Sequence, residues 1–293
     1  MIDYRNIIKN RELRLKLINL LRFIPDKPYL KMVYRIKTGK KLNLKNPKTF
    51  CDKLNWLKLH DFHPEYTRLV DKVAVRAHLK EVLGEDICIP MLGAWNHYDE
   101  IDFTMLPDKF VLKCNHDSGS VKIISDKASM DHTALRDFYE SRLEQNPFTL
   151  GREYPYRDVP PMIYAEQFMI PEGDSDINDY KFFCFNGKPE ILFVATERNT
   201  DVKFDFFDME FQHLDIVNIH PQSNHVVAKP QTFEGMKRLA AKLSQGMRFV
   251  RIDLYEINNK IYFSEFTIYH AGGFWPMTPA EWEYKLGDLI QIN

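Results

Sequence analysis

At 293 residues the chain is long enough to bury a sizeable core as one large or two medium domains, and its 44% hydrophobic and 28% charged residues are those of a globular protein. The four cysteines (Cys51, Cys88, Cys114, Cys184) show no CxxC spacing, which argues against a zinc site or a disulfide framework and for a reducing compartment. The net charge of −1 hides an asymmetry: residues 1–60 carry 16 Lys/Arg against 4 Asp/Glu, either a solvated basic face packed on an acidic body or a segment suited to an acidic glycan or a membrane surface. Nucleic acid is excluded as a partner for lack of any helix-turn-helix, zinc-finger or RNP-type pattern. No apolar run approaches the roughly 20 residues of a membrane span, and no signal-peptide pattern opens the chain. The expected address is the cytoplasm, with peripheral contact to the inner face of the membrane through residues 1–60.

In chain order, Ile7 to Phe23 spaces its apolar residues as an amphipathic helix, ended by Pro25 and Pro28. A second helix is expected from Pro47 to Leu59 with Thr49 as N-cap. A third should run from Tyr66 through Asp71-Lys72 and Arg76 to Leu83, stopped by Gly84. Ile87 to Gly93 reads as a short strand. Phe110-Val-Leu-Lys113 is a second strand, joined by the polar loop Asn115 to Ser120 to a third at Val121–Ile124. Asp131 to Leu143 is helical, and Met162 to Met169 is an apolar strand running into the acidic loop Pro171–Asn178. Asp179 to Val194 is a hairpin around Asn186-Gly187, a strong turn signal. A helix from Thr232 to Leu243 leads to a last hairpin, Val250 to Thr267, turning at Asn258-Asn259. Helices first and a β-rich body after make the class α+β.

That last hairpin holds the most suggestive residues. Asp253 and Glu265 fall on one face if the loop has an odd number of residues; side by side they would repel unless they bind a cation, and oxygen ligands suit Mg²⁺ bridging to phosphates. A two-residue turn, which Asn-Asn favours, would send them to opposite faces and leave a solvated acidic strand. Lys113, entering a Ser/Gly loop, could serve as a phosphate cradle or simply snorkel. Asp179 and Lys181 share a strand face as an ion pair.

Taken together, Asn46-Pro-Lys-Thr-Phe50, Asp71-Lys72-x-x-x-Arg76, Phe110-Val-Leu-Lys-Cys-Asn-His-x-Ser-Gly119, Asp179-Tyr-Lys-Phe-Phe-Cys-Phe-Asn-Gly187, Arg251-x-Asp-x-Tyr255 and Phe263-x-Glu-x-Thr267 resemble the TupA-like branch of the ATP-grasp fold, from about Leu42 to the C-terminus. The resemblance implies two α+β subdomains clasping ATP, preceded by a basic helical region: residues 1–105, then 106–293, split at 175/176 into a Lys-loop part and a metal-binding part. It implies that Lys113 and Ser118-Gly119-Ser120 hold phosphates and that Glu166, Gln167, Phe168 and Met169 form a hinge against adenine. Asp179 and Lys181 would face the nucleotide, and Asp253, Glu265 and Thr267 would hold Mg²⁺. Arg251, with Arg198, would stabilise developing charge. Thr267 stands where many ATP-grasp enzymes have Asn.

The activity so implied is that of an ATP-dependent carbon–nitrogen ligase working through an acyl phosphate in bacterial surface or capsular polysaccharide biosynthesis, amidating a uronic-acid carboxyl with an amino acid. Alternatives are a sugar kinase, a non-catalytic nucleotide- or glycan-binding component, and a glycosyltransferase, which lacks its DxD context here. His116 in the loop and His270-Ala-Gly-Gly273 after Thr267 are further candidates for contact with phosphate and acceptor.

Overall fold

The computed structural model describes residues 21–169, 171, 177–198 and 200–292; the predicted first helix falls almost wholly outside them, as does most of the acidic loop. Helix α1 (Asp26–Thr38) ends at Gly39, whose φ of 72° no side chain opposes. Helix α2 (Phe50–His60) is capped as expected: Thr49 Oγ1 accepts from the Asp52 amide at 3.1 Å.

The single helix expected over Tyr66–Leu83 is two, α3 (Tyr66–Val70) and α4 (Val75–Leu83). Asp71 breaks it: its carboxylate accepts from the Val73 and Ala74 amides at 2.8 and 3.2 Å and from Asn115 Nδ2 at 2.9 Å. A short acidic side chain thus outcompetes the helical bonds and ties the break to the loop after β2.

The smaller sheet holds β1 (Met91–Trp95), β2 (Phe110–Cys114), β3 (Lys122–Ile124) and β4 (Ile163–Gln167) in the order β1-β4-β2-β3, all antiparallel. Helix α5 (His132–Leu143), capped by Asp131, lays the fully buried Tyr139 into a core with Tyr98, Phe110, Leu112 and Ile163. The strand expected at Ile87–Gly93 starts only after Pro90, and Ile87–Ile89 instead runs beside the other sheet, where Ile87 O accepts from Phe263 N at 2.9 Å. Since β1 pairs with β4, the smaller sheet reaches back across the expected 105/106 boundary.

After the one-turn helix α6 (Phe148–Gly151), the larger sheet is built from β5 (Asp179–Phe185), β6 (Lys188–Thr196), β7 (Lys203–Asp208), β8 (His213–Leu214), β9 (Phe249–Ile257) and β10 (Lys260–Thr267), in the order β10-β9-β5-β6-β7-β8, again antiparallel. Asn186 and Gly187, at φ 50° and 80°, make the expected tight turn between β5 and β6. Helix α7 (Phe233–Leu243) buries Met236 and Ala240 on the sheet. Helix α8 (Glu281–Leu289) packs on α2, with Gly287 so close to Lys48 that a Cβ there would meet its carbonyl oxygen at 2.2 Å. The buried Glu283 staples the two helices by accepting from the Cys51 and Met277 amides at 3.1 and 3.0 Å. Helices α2, α3 and α4 therefore share the core of the larger sheet, while α1 packs in a separate cluster with Cys51 and Phe274.

Candidate active site

The hairpin β9–β10 turns in two residues: Asn258 and Asn259 lie at φ 53° and 58°, and Ile257 pairs with Lys260. The expected odd-numbered loop is therefore wrong, but the carboxylates still meet. A bulge at Ser264 shifts the register between Phe263 and Glu265, so that Glu265 lies directly opposite Asp253 and Thr267 opposite Arg251. Ile252, Leu254, Phe263 and Phe266 go into the core, and Arg251, Asp253, Glu265 and Thr267 line the other face.

On that face the charges are interlocked. Arg251 donates from Nε to Asp253 Oδ1 at 2.7 Å, and from Nη2 to Asp253 Oδ2 at 2.6 Å and Thr267 Oγ1 at 2.9 Å. Lys181 bonds Asp253 and, at 2.6 Å, Asp179. Glu265 lies 3.4 Å from both Arg251 and Lys72. Burial pushes the Glu265 carboxyl up, but Lys72, Lys181 and Arg251 together outweigh it and hold it down at about 2.

Arg251 is itself fixed from behind. Its Nη1 lies 2.9 Å from His270 Nδ1, and His270 Nε2 lies 2.9 Å from Asn218 Oδ1. A guanidinium can only donate, so Nδ1 accepts, Nε2 carries the proton, and Asn218 turns its amide to Trp275 O at 2.7 Å. Burial first, then the charges of Arg251 and Lys181, keep His270 neutral far below the usual histidine range.

Two cavities adjoin this face. The smaller, about 160 Å³, is lined by Lys113, Ser118-Gly119-Ser120, Glu166, Asp179, Lys181 and Arg198, together with Lys72, Ile89 and Tyr255. Lys113 pairs with Glu166, which also lies 3.5 Å from Arg76. Arg198 sits 3.9 Å from Asp179 with its charge over the Tyr255 ring at 5.7 Å. The buried Oδ1 of Asp179 has no hydrogen-bond partner among the described residues. In the loop, the Ser120 hydroxyl is committed internally, accepting from Cys114 N and donating to Asp117, which Arg142 braces at 2.9 Å. Gly119, at φ 91°, makes the bend. Gln167 is exposed, Phe168 is half-buried, and Met169 packs with Ile89 and Tyr255 into an apolar wall.

The larger cavity, about 790 Å³, shares Asp117, Ser118, Lys181 and Glu265 with the smaller one. It continues past Arg251, Thr267 and His270 to Glu153, Tyr156, Phe193 and Phe204. His116 lines it but is buried, with its ring nitrogens 3.2 Å from Asn115 Oδ1 and Arg142 O, and contributes to the wall rather than to the loop's surface. Lys72 and Arg76, noticed only as a spacing, and Glu153, Tyr156 and Asn218, unnoticed, join the site; nothing local in the sequence marks the last three.

Of the three expected metal ligands, only Glu265 and Thr267 line a cavity. Asp253 is fully buried with both oxygens bonded to cations, and no group of three or more His, Cys, Asp or Glu among the described residues could hold a metal. These residues do not fit a magnesium ion held between Asp253 and Glu265; they fit one carried by phosphates and met by Glu265.

No helix among the described residues is long and apolar enough to cross a membrane. No curated protein matches the sequence. Among solved structures, the D-alanine–D-alanine ligase from Bacillus anthracis complexed with ATP is 14% identical with a TM-score of 0.38, over 69% of this chain and 54% of that one. The RimK domain protein ATP-grasp from Sphaerobacter thermophilus is 13% identical with a TM-score of 0.40, over 77% and 69%. The chain thus spans about half the length of the first. Residues 52–291 match the model of the family described as TupA-like ATPgrasp, and the chain belongs to that family and carries its ATP-grasp fold.

Proposed function

We propose that the protein is an ATP-dependent carboxylate–amine ligase that acts on an acidic glycan in surface-polysaccharide assembly. The observation that carries this reading is the meeting of the two cavities at Lys181 and Glu265, with Arg251 on the larger side. A phosphate reached from the loop and a carboxylate reached from the larger cavity would come under the same cations there, which is what phosphoryl transfer between them needs.

In this reading Lys72, Lys113, Lys181 and Arg198 neutralise the phosphates, and the backbone amides of Ser118 to Ser120 add donors. Ile89, Met169 and Tyr255 offer the base an apolar wall beside Gln167 and Phe168, and the unpartnered Asp179 oxygen can accept from a ribose hydroxyl. Magnesium arriving with ATP would offset phosphate charge, and Glu265 is the side chain open to it. Arg251, held by His270, stabilises the negative charge that develops on the transferred group and then on the tetrahedral intermediate. The surplus of basic residues over positions 1–60 supports an acidic acceptor and peripheral contact with a lipid-linked glycan at the inner face of the membrane.

The test is ADP release from Mg·ATP across a panel of uronic acids and amino acids, with product analysis. An amide with free phosphate is expected. A stable phosphoester would make the protein a sugar kinase and sink the ligase reading.

A further inference from the structure

Four carboxylates line the larger cavity: Asp117 is braced by Arg142, Glu265 is the junction residue, Glu144 is exposed, and Glu153 is the half-buried one that the roles above do not use. No hydrogen bond or ion pair among the described residues engages the Glu153 side chain. A half-buried carboxylate that faces a cavity with no cation in hydrogen-bond reach is suited to receive a cationic group, because carboxylates in such places ordinarily pair or bind a cation. The fold has made room for it: a Cβ at Gly151 would come within 2.3 Å of Glu153 Oε1 and one at Gly272 within 3.2 Å. The carbonyls of the same two glycines are taken by Lys58, whose Nζ donates to Gly151 O at 2.7 Å and Gly272 O at 2.6 Å. Lys58 is thereby spent on the backbone, near Glu153 without touching it.

We propose that Glu153 is the receiving group for the amine substrate, binding it as a primary ammonium ion and taking its proton. This rests on the ligase reading and names the nucleophile's side of that site. Tyr156, half-buried in the same cavity wall, feels both carboxylates: the charges of Glu265 and Glu153 reach its phenol and, with burial as the larger cause, push it up. Burial likewise raises the Glu153 carboxyl, against the pull of Lys58, Lys37 and Arg251, toward the range where a base can take a proton and return it. In the step, one ammonium proton passes to Glu153 and the nitrogen lone pair forms the C–N bond. The C–O bond to phosphate breaks with its electron pair on the phosphate oxygen, and the second amine proton leaves with phosphate.

The first arm of the test needs no turnover. Wild type and Glu153→Gln, with Mg·ADP present, are titrated calorimetrically with ethanolamine and L-alanine and with their hydroxyl counterparts, ethylene glycol and L-lactate. At neutral pH wild type is expected to prefer an ammonium probe by about tenfold or more, and Glu153→Gln to lose that preference. Equal affinities in wild type, or an unchanged preference in the variant, overturn the proposal whatever reaction the protein catalyses. Glu153→Asp, which keeps the charge, is expected to retain part of the preference, so a loss in Glu153→Gln with an intact thermal midpoint is not a folding defect. The second arm uses a carboxylate that supports turnover. Glu153→Gln should lower kcat with an ammonium nucleophile by about 10²-fold while sparing hydroxamate formation from hydroxylamine, which is already neutral at this pH. Equal loss with both nucleophiles overturns the assignment and leaves the ligase reading standing.

Discussion

The two cavities differ in how their charges are settled. Around the smaller one nearly every cation already has an anion: Lys113 has Glu166, Lys181 has Asp179 and Asp253, and Lys72 has Glu265. Around the larger one aromatic walls surround a carboxylate, Glu153, with no partner among the described residues. A site for a polyanion can keep its cations neutralised by internal carboxylates until the ligand displaces them. A site for a small cation can leave its anion waiting. The first arrangement favours exchange of partners and the second favours capture.

The largest expected effect tests the interlock on the shared wall. Arg251→Met strips the fully buried Asp253 of its two-pronged partner, and a urea unfolding curve should show a loss of about 3–5 kcal/mol. ADP release should fall by about 10²-fold or more for want of charge stabilisation. A stability change under about 1 kcal/mol would mean Lys181 alone satisfies Asp253.

Glu265→Gln separates stability from activity at the junction. Its ion pairs are long, at 3.4 Å, and its side chain stays 21% exposed, so the stability loss at neutral pH should not exceed about 3 kcal/mol, the value of a carboxyl shifted from near 4.3 to about 2. Turnover should nevertheless drop by about 10²-fold, and chelation of magnesium should abolish what remains in both proteins. The depressed carboxyl also sets a pH signature. With the folded group at about 2 and the unfolded one near 4.3, its contribution is present above about pH 4 and lost as pH falls toward 2. Glu265→Gln should flatten that acid limb relative to wild type; an unchanged limb would show that Lys72 and Arg251 do not hold the carboxylate.

A smaller effect is expected one step back from the wall. Asn218→Ala removes the acceptor that fixes the His270 tautomer, and kcat should fall about tenfold with KM for ATP little changed. Smallest of all, Gly187→Ala puts a Cβ at φ 80° against the Gln245 side chain and should lower stability by about 1 kcal/mol without touching turnover, far from both cavities.

Much of the larger sheet could be read in advance because its signals are local. Asn186-Gly187 specifies a turn, and alternation puts Asp179 and Lys181 on one face, where they meet at 2.6 Å. The break at Asp71 was missed because its cause is the carboxylate's choice between helix amides and a distant asparagine. Glu153 and Asn218 were missed for a related reason: each acquires its meaning largely from distant residues, Glu153 from Lys58 and Gly272 and Asn218 from His270 and Trp275. Asn258-Asn259 makes the two-residue turn that its residues favour, and the carboxylates meet through the bulge at Ser264 rather than through an odd loop. The sequence did hold the resolving clue, since Phe263 and Phe266, three apart, cannot both face the core of a regular strand.

The bulge at Ser264 also makes the hairpin tip independent of the chemistry below it. The extra residue lies between Lys260 and Glu265, so removing one matched pair from the two strands above it leaves Glu265 facing Asp253. The exposed Lys260 at the tip can thus carry a fluorophore and report on motion of the hairpin without altering the charges at its base.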